Sequence, residues 1–221
     1  MAENIVTIDG PSGAGKSTVS QMTAAKLNYT YLDTGAMYRA VGLKIERAGI
    51  DLADESLLQA LLDGLDLSLV AEGGETKVIL DREDVSGAIR TAEMGMIASR
   101  VSANHLVRKK LTALQHQLGR NGSVVAEGRD MGTVVFPDAK YKFYLDASAE
   151  ERARRRCQQL REKGQEVNER EILAQIVKRD QDDSSRALAP LKPASDAIIV
   201  DSSKMNADEV VAFMLRYIDE K

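Results

Sequence analysis

The 221-residue sequence has no tryptophan, one cysteine, two histidines and four prolines. A lone Cys157 excludes an internal disulfide and a thiolate zinc cluster within one chain. His105 and His116 leave little imidazole for a metal. No Pro-rich linker, low-complexity tract or internal repeat interrupts the chain. No apolar run reaches membrane-spanning length. The opening Met1-Ala2-Glu3-Asn4 lacks the basic and apolar regions of a signal peptide. Positive charge does not dominate: 30 Lys and Arg stand against 34 Asp and Glu, a net charge of -4. That balance argues against a role in holding a long nucleic acid. The expectation is a cytoplasmic protein of a reducing compartment, with no membrane and no nucleic-acid partner.

What is present is a hydrophobic content of 43%, enough for one large domain or a core domain with small inserts. Ile5–Asp9 is a short β-branched run, followed by a glycine-rich turn and a helix from Lys16 to Leu27. Val19, Met22 and Leu27 are expected to face inward on that helix. A second strand is expected at 29–32, then a helix through Met37, Val41 and Ile45 closed by Gly49. Another short helix reads over 54–62. Leu67–Val70 and Lys77–Leu80 flank Gly73-Gly74 as a hairpin, so 66–85 reads as a small antiparallel insert. Helices follow over 89–101 and 103–118, the second with Val107, Leu111, Leu114 and Leu118 as its apolar stripe. Further strands are expected at 123–127, 141–145 and 197–201. Ser148/Glu151, Asn168/Glu171 and Asn206/Glu209 have capping-box spacing and mark three helix starts. Five short strands alternating with helices imply an α/β fold with a doubly wound five-stranded parallel sheet.

Gly10-Pro11-Ser12-Gly13-Ala14-Gly15-Lys16-Ser17 fits the phosphate-loop pattern G-x-x-x-x-G-K-[ST], with a strand before it and a helix after. Glycines let several backbone N–H groups turn into one concavity, and the helix N-terminus adds further donors. Lys16 is placed to reach the β and γ phosphates of ATP, and the Ser17 hydroxyl to meet Mg²⁺. Thr18 completes the loop's candidate contacts. Glycines at 10, 13 and 15 do not form the G-x-G-x-x-G of a dinucleotide site. The loop alone leaves the reaction open, because pumps, switches and small-molecule kinases share it.

Arginines narrow the choice. Asp33-Thr34-Gly35 leads to Arg39; Arg129-Asp130 follows a strand end; Arg108 sits on a mostly apolar helix; Arg179, Asp183 and Arg186 lie together in sequence. Each alone reads as a solvated surface group, but together with a phosphate loop they suggest a second anionic substrate. Arg152, Arg154, Arg155, Arg156 and Arg161 point around one helix. They read as a lid over triphosphate, a charged helix exterior or an RNA patch. If the acceptor is itself a phosphate, transfer needs alignment and charge neutralisation rather than a covalent nucleophile.

The chain resembles the bacterial cytidylate kinases, phosphate-loop nucleoside monophosphate kinases, along about residues 4–218. The resemblance rests on the phosphate loop, Asp33-Thr34-Gly35-Ala36-Met37-Tyr38-Arg39, Asp84-Val85-Ser86-Gly87-Ala88-Ile89-Arg90 and Glu127-Gly128-Arg129-Asp130-Met131-Gly132-Thr133-Val134-Val135-Phe136-Pro137. It implies transfer of the γ-phosphoryl of ATP, with Mg²⁺, to CMP or dCMP. It implies Thr34, Arg39, Arg108, Arg129 and Asp130 around the monophosphate, with Ser99, Arg179, Asp183 and Arg186 completing the site. Lys16, Arg129, Asp130, Arg179 and Arg186 become the candidate catalytic set. The implied layout is a core of 1–33, 86–147 and 187–221, a monophosphate-binding region of 34–85 and a helical lid of 148–186, acting as a monomer. A kinase for another monophosphate such as UMP and a nucleotide-dependent switch are the competing readings. The switch lacks an Asn-Lys-x-Asp guanine signature here.

Overall fold

The computed structural model describes residues 4–72, 75–120, 122–162 and 164–220. The chain runs β1 (Ile5–Asp9), α1 (Lys16–Leu27), β2 (Thr30–Asp33), α2 (Thr34–Ala48), α3 (Glu55–Asp63), β3 (Leu67–Glu72), β4 (Glu75–Leu80) and β5 (Glu83–Asp84). It continues with α4 (Ala92–Val101), α5 (His105–Gly119), β6 (Val124–Gly128), a π-helical turn (Met131–Val135) and β7 (Tyr141–Asp146). The last elements are α6 (Ala149–Glu162), α7 (Glu169–Ser184), β8 (Ile198–Asp201) and α8 (Ala207–Asp219). Two compact units result, one from Met1–Tyr31 with Gly122–Lys221, the other from Leu32–Asn121.

The first unit is built on a sheet of order β2-β6-β1-β7-β8. β1 pairs in parallel with both β6 and β7, and β7 pairs in parallel with β8. β1 is buried along its whole length, as β-branched strands of a covered parallel sheet are. Val6, Ile8, Phe143, Leu145 and Val200 pack with Val19 and Ala24 of α1 and with Val210, Val211 and Met214 of α8. The Phe143 and Tyr217 rings meet edge to face, 5.7 Å between centroids. Because the strands on either side of β1 come later in sequence, β1 ends at a switch point, where open α/β sheets gather their ligands. The glycine loop leaves from that end.

In the second unit, α2 crosses α4 so closely that a Cβ on Gly42 would lie 2.6 Å from Ile97 Cγ2. Ala36, Ala40, Val78, Leu80, Val85 and Ile89 form its small core. β3 and β4 pair antiparallel with Leu67 opposite Leu80 and Leu69 opposite Val78, and β5 adds a third strand. The parallel sheet with flanking helices and an antiparallel insert is the fold the sequence implies; the expected turn at Gly73-Gly74 lies outside the described residues.

Several boundaries differ, each for a local reason. α4 starts at Ala92 rather than 89, because the Thr91 hydroxyl accepts from Met94 N–H at 3.1 Å and caps it. α5 starts after Asn104, whose side chain accepts from Leu106 and Val107 N–H. Its inward stripe is Val107, Arg108, Leu111, Gln115 and Gly119, while Leu118 is exposed and Leu114 half-buried. Small Ser20, Thr23 and Ala24 join Val19 on the buried face of α1, and Met22 and Leu27 sit at its margin. The box at Asn206 and Glu209 is complete. At 148–151 only half forms: Ser148 Oγ accepts from Glu151 N–H, but the Glu151 carboxylate is taken by Arg154 and Arg155.

Candidate active site

Gly10, at φ +147°, leaves β1 beside β7, and a Cβ there would stand 2.0 Å from the Leu145 carbonyl oxygen. Backbone meets backbone at this point, so only a residue without a side chain lets the chain turn. Gly13 (φ +81°) and Gly15 (φ +94°) lie in the left-handed region and complete the loop. α1 begins at Lys16 directly behind Gly15, which has no side chain with which to cap it. Its first N–H groups are the donors that an anion uses at a helix N-terminus.

Three of the loop's carbonyls accept from cations. Lys16 Nζ donates to Pro11 O at 2.6 Å. Arg152 Nη1 donates to Ser12 O at 3.1 Å. Arg155 Nη1 donates to Ala14 O at 3.4 Å, which also accepts from Ser202 Oγ at 3.2 Å. Arg179 Nη1 donates to the Ser12 hydroxyl at 3.1 Å. Burial, with Arg129 adding like charge, pushes the Lys16 ammonium down to about 7. A buried cation crowded by arginines is a site short of negative charge, which phosphate supplies. Beside it, burial raises Asp9 to about 6, although its carboxylate accepts from Met131 and Gly132 N–H at 2.8 Å each. Those two bonds hold the π-helical turn against the end of β1.

Asp183 is the anchor of a second cluster in the same unit. Arg129 Nε donates to it at 3.0 Å and Arg186 pairs with its other oxygen. Burial alone would raise Asp183; Arg129, Arg186 and Arg179 outweigh it and hold the carboxyl below its usual 3.8. The linked stability is therefore present above that value and lost as pH falls through the lower folded-state value. Asp183→Asn should cost about 2 kcal/mol at pH 7, discounted for the partly exposed Arg129. The difference from the unmodified chain should shrink as pH drops below about 3.8. Urea denaturation at pH 7 and pH 3 measures both; a gap independent of pH would remove the ion pair as its cause.

In the second unit, Asp33 caps α2 by accepting from Ala36 N–H at 2.8 Å and pairs with Arg39 at 3.2 Å. Thr34 is buried at the first position of α2. Ser102 ties two more candidates: its hydroxyl donates to Ser99 O at 2.8 Å, and its carbonyl accepts from buried Arg108 at 3.4 Å. The Arg108 guanidinium lies 6.0 Å from the Tyr38 ring centroid.

A family model described as cytidylate kinase matches residues 6–220 of this chain. The chain belongs to the cytidylate kinase family. A relative named cytidylate kinase from Aliivibrio salmonicida is 50% identical over 217 residues, covering 98% of this chain and 97% of the relative. Another of that name, from Geobacter sp. strain M21, is 48% identical over 217 residues, covering 98% and 93%. A solved structure of an uncharacterized protein from Eubacterium ventriosum matches with a TM-score of 0.54 at 12% identity over 99% of each chain, a likeness of fold alone.

Lys16, Arg129, Asp130, Arg179, Asp183 and Arg186 lie in the first unit, and Thr34, Arg39, Ser99 and Arg108 in the second. Ser17 and Thr18 are exposed in the first turn of α1, Asp130 is buried, and Cys157 is buried in α6 as a small apolar contact. Asp9, Asp180 and Ser202 were not singled out in the sequence. Asp9 stands directly before the loop, a position that could have drawn attention. Asp180 and Ser202 act through contacts with residues 28 and 188 positions away, which no local pattern reveals.

Mg²⁺ takes hard oxygen donors and keeps several water ligands. Among the described residues no three His, Cys, Asp or Glu side chains converge as a protein-built cage would require. The Ser17 hydroxyl at the mouth of the loop suits an ion that arrives bound to nucleotide phosphates. Among the described residues, no helix is long and apolar enough to cross a membrane.

Proposed function

We infer that the chain transfers the γ-phosphoryl of ATP to CMP or dCMP, giving ADP and CDP or dCDP. The observation that carries this reading is the family match over 6–220, joined to a complete phosphate loop whose carbonyls are tied back by cations. The acceptor oxygen of a monophosphate is already anionic near neutral pH. The protein therefore has to align it, neutralise charge and exclude water. Lys16 and the loop N–H groups hold the donor phosphates. Arg129, Arg179 and Arg186 neutralise charge between donor and acceptor, with Asp130 and Asp183 placing the arginines and the acceptor. Thr34, Arg39, Ser99 and Arg108 are the residues that the family resemblance assigns to the monophosphate. Mg²⁺, held at Ser17 and the phosphate oxygens, would offset charge on the donor when bound.

A pocket built around the cytosine amino group leaves a polar partner unpaired when uracil enters. Initial rates with ATP and Mg²⁺ should show CMP and dCMP as good acceptors. UMP and AMP should have kcat/KM lower by roughly tenfold or more. Preferred phosphorylation of UMP or AMP, or ADP release without CDP, would overturn the reading.

A further inference from the structure

Arg152 does something different from Arg154 and Arg161 in the arginine-rich helix. Arg154 pairs with Glu151 on an exposed face, and Arg161 pairs with exposed Glu169. Arg152 is 5% exposed and its guanidinium is spread over three separate elements. Nε donates to Ala147 O at 2.8 Å, where β7 leads into α6. Nη1 donates to Ser12 O in the phosphate loop at 3.1 Å. Nη2 donates to Asp180 Oδ2 on α7 at 2.6 Å. A Cβ on Gly13 would lie 3.2 Å from Arg152 Cβ, so the arginine stem packs directly under the loop.

Peptide geometry gives this contact a directional meaning. In a planar trans peptide the carbonyl of one residue and the N–H of the next point opposite ways. Holding Ser12 O toward α6 therefore turns the Gly13 N–H away from α6. Arg155 does the same for Gly15 by holding Ala14 O from the same helix. Two N–H groups are thereby aimed together before any anion arrives, which lowers the cost of organising the loop on binding.

We propose that Arg152 is a positioning residue for ATP: it sets the phosphate loop's N–H groups through Ser12 and makes that setting depend on α7 through Asp180. α7 also carries Arg179, whose guanidinium takes the Ser12 hydroxyl. Ser12 is thus held at its carbonyl through α6 and at its side chain from α7. Arg152 touches no phosphate in this role; it acts on the donor site through backbone. The inference rests on the donor assignment above but not on the identity of the acceptor.

The test is MgATP affinity by calorimetry, alongside CDP formation, for Arg152→Met, Arg152→Lys and Asp180→Asn, with thermal melts to establish folding. Loss of a charge-assisted bond predicts ATP binding weaker by roughly tenfold or more in Arg152→Met. Arg152→Lys, which cannot span all three partners, should fall between. Asp180→Asn keeps the arginine and should still weaken ATP binding several-fold. Unchanged ATP affinity in folded Arg152→Lys or Arg152→Met would overturn the proposal. So would weakening in both Arg152 variants with none in Asp180→Asn, which would make Arg152 a direct ligand of the nucleotide. If the unmodified chain binds ATP but makes no CDP, the acceptor assignment falls and the Arg152 result stands separately.

Discussion

Lys16→Met should lower kcat/KM for CMP phosphorylation on the order of a thousandfold, since it removes a preorganised charge from the donor phosphates. The same change should leave the protein as stable as before, or more so. In the folded chain the Lys16 ammonium is pushed down to about 7, against 10.5 for an ordinary lysine. Between those values the unfolded chain binds the extra proton, so stability rises with pH across that interval. Below about 7 the burial penalty is felt in full. Removing the amine should remove it, and the variant's melting temperature should gain most over the unmodified chain at pH 6 to 7 and least near pH 10. Steady-state kinetics and melts over that pH range check both halves. Near-normal turnover would end the assignment of Lys16. A melting temperature that falls equally at every pH would show that its stem packing outweighs its charge.

Arg129→Ala is expected to reduce kcat/KM for CMP by about two orders of magnitude, and to weaken ATP binding much less. Arg129 shares Asp183 with Arg186, so its loss leaves Arg186 on the carboxylate and does not strand it. Its loss also relieves like-charge pressure on Lys16, whose ammonium should titrate at higher pH in the variant. That second effect separates a local electrostatic change from general loosening. Arg129→Lys restores charge without the fork and should recover only part of the CMP rate. Unaltered CMP kinetics in Arg129→Ala would take this arginine out of the site.

The phosphate loop was readable because its chemistry is local: glycines at turns, a lysine and a hydroxyl at fixed spacing, a strand before and a helix after. The parallel sheet was readable from its β-branched runs. The stripe of α5 was not. Choosing Leu118 over Gln115 follows hydrophobicity, yet the helix buries Gln115 completely and leaves Leu118 exposed, although both lie within about 40° of Leu111 on the helix, so tertiary packing and not periodicity decides between them. The π-helical turn at Met131–Val135 was equally hidden. Its opening N–H groups are held by Asp9, 122 positions earlier in the chain. Candidate residues were named by chemical type, but their division of labour depends on tertiary contacts. Five arginines in one helix look alike in sequence, yet Arg152 and Arg155 turn onto the phosphate loop while Arg154 pairs on an exposed face.

The second unit leaves the first after Tyr31 and returns at Gly122. At that seam Thr30 N–H donates to Ser123 O at 2.8 Å, and the Tyr31 hydroxyl donates to Glu127. Departure and return are thus stitched side by side on neighbouring strands, and the entropy of closing the excursion grows only slowly with its length. A change of length in the loops between those two crossing points therefore adds little to the cost of closing the excursion and leaves the bonds that close it in place.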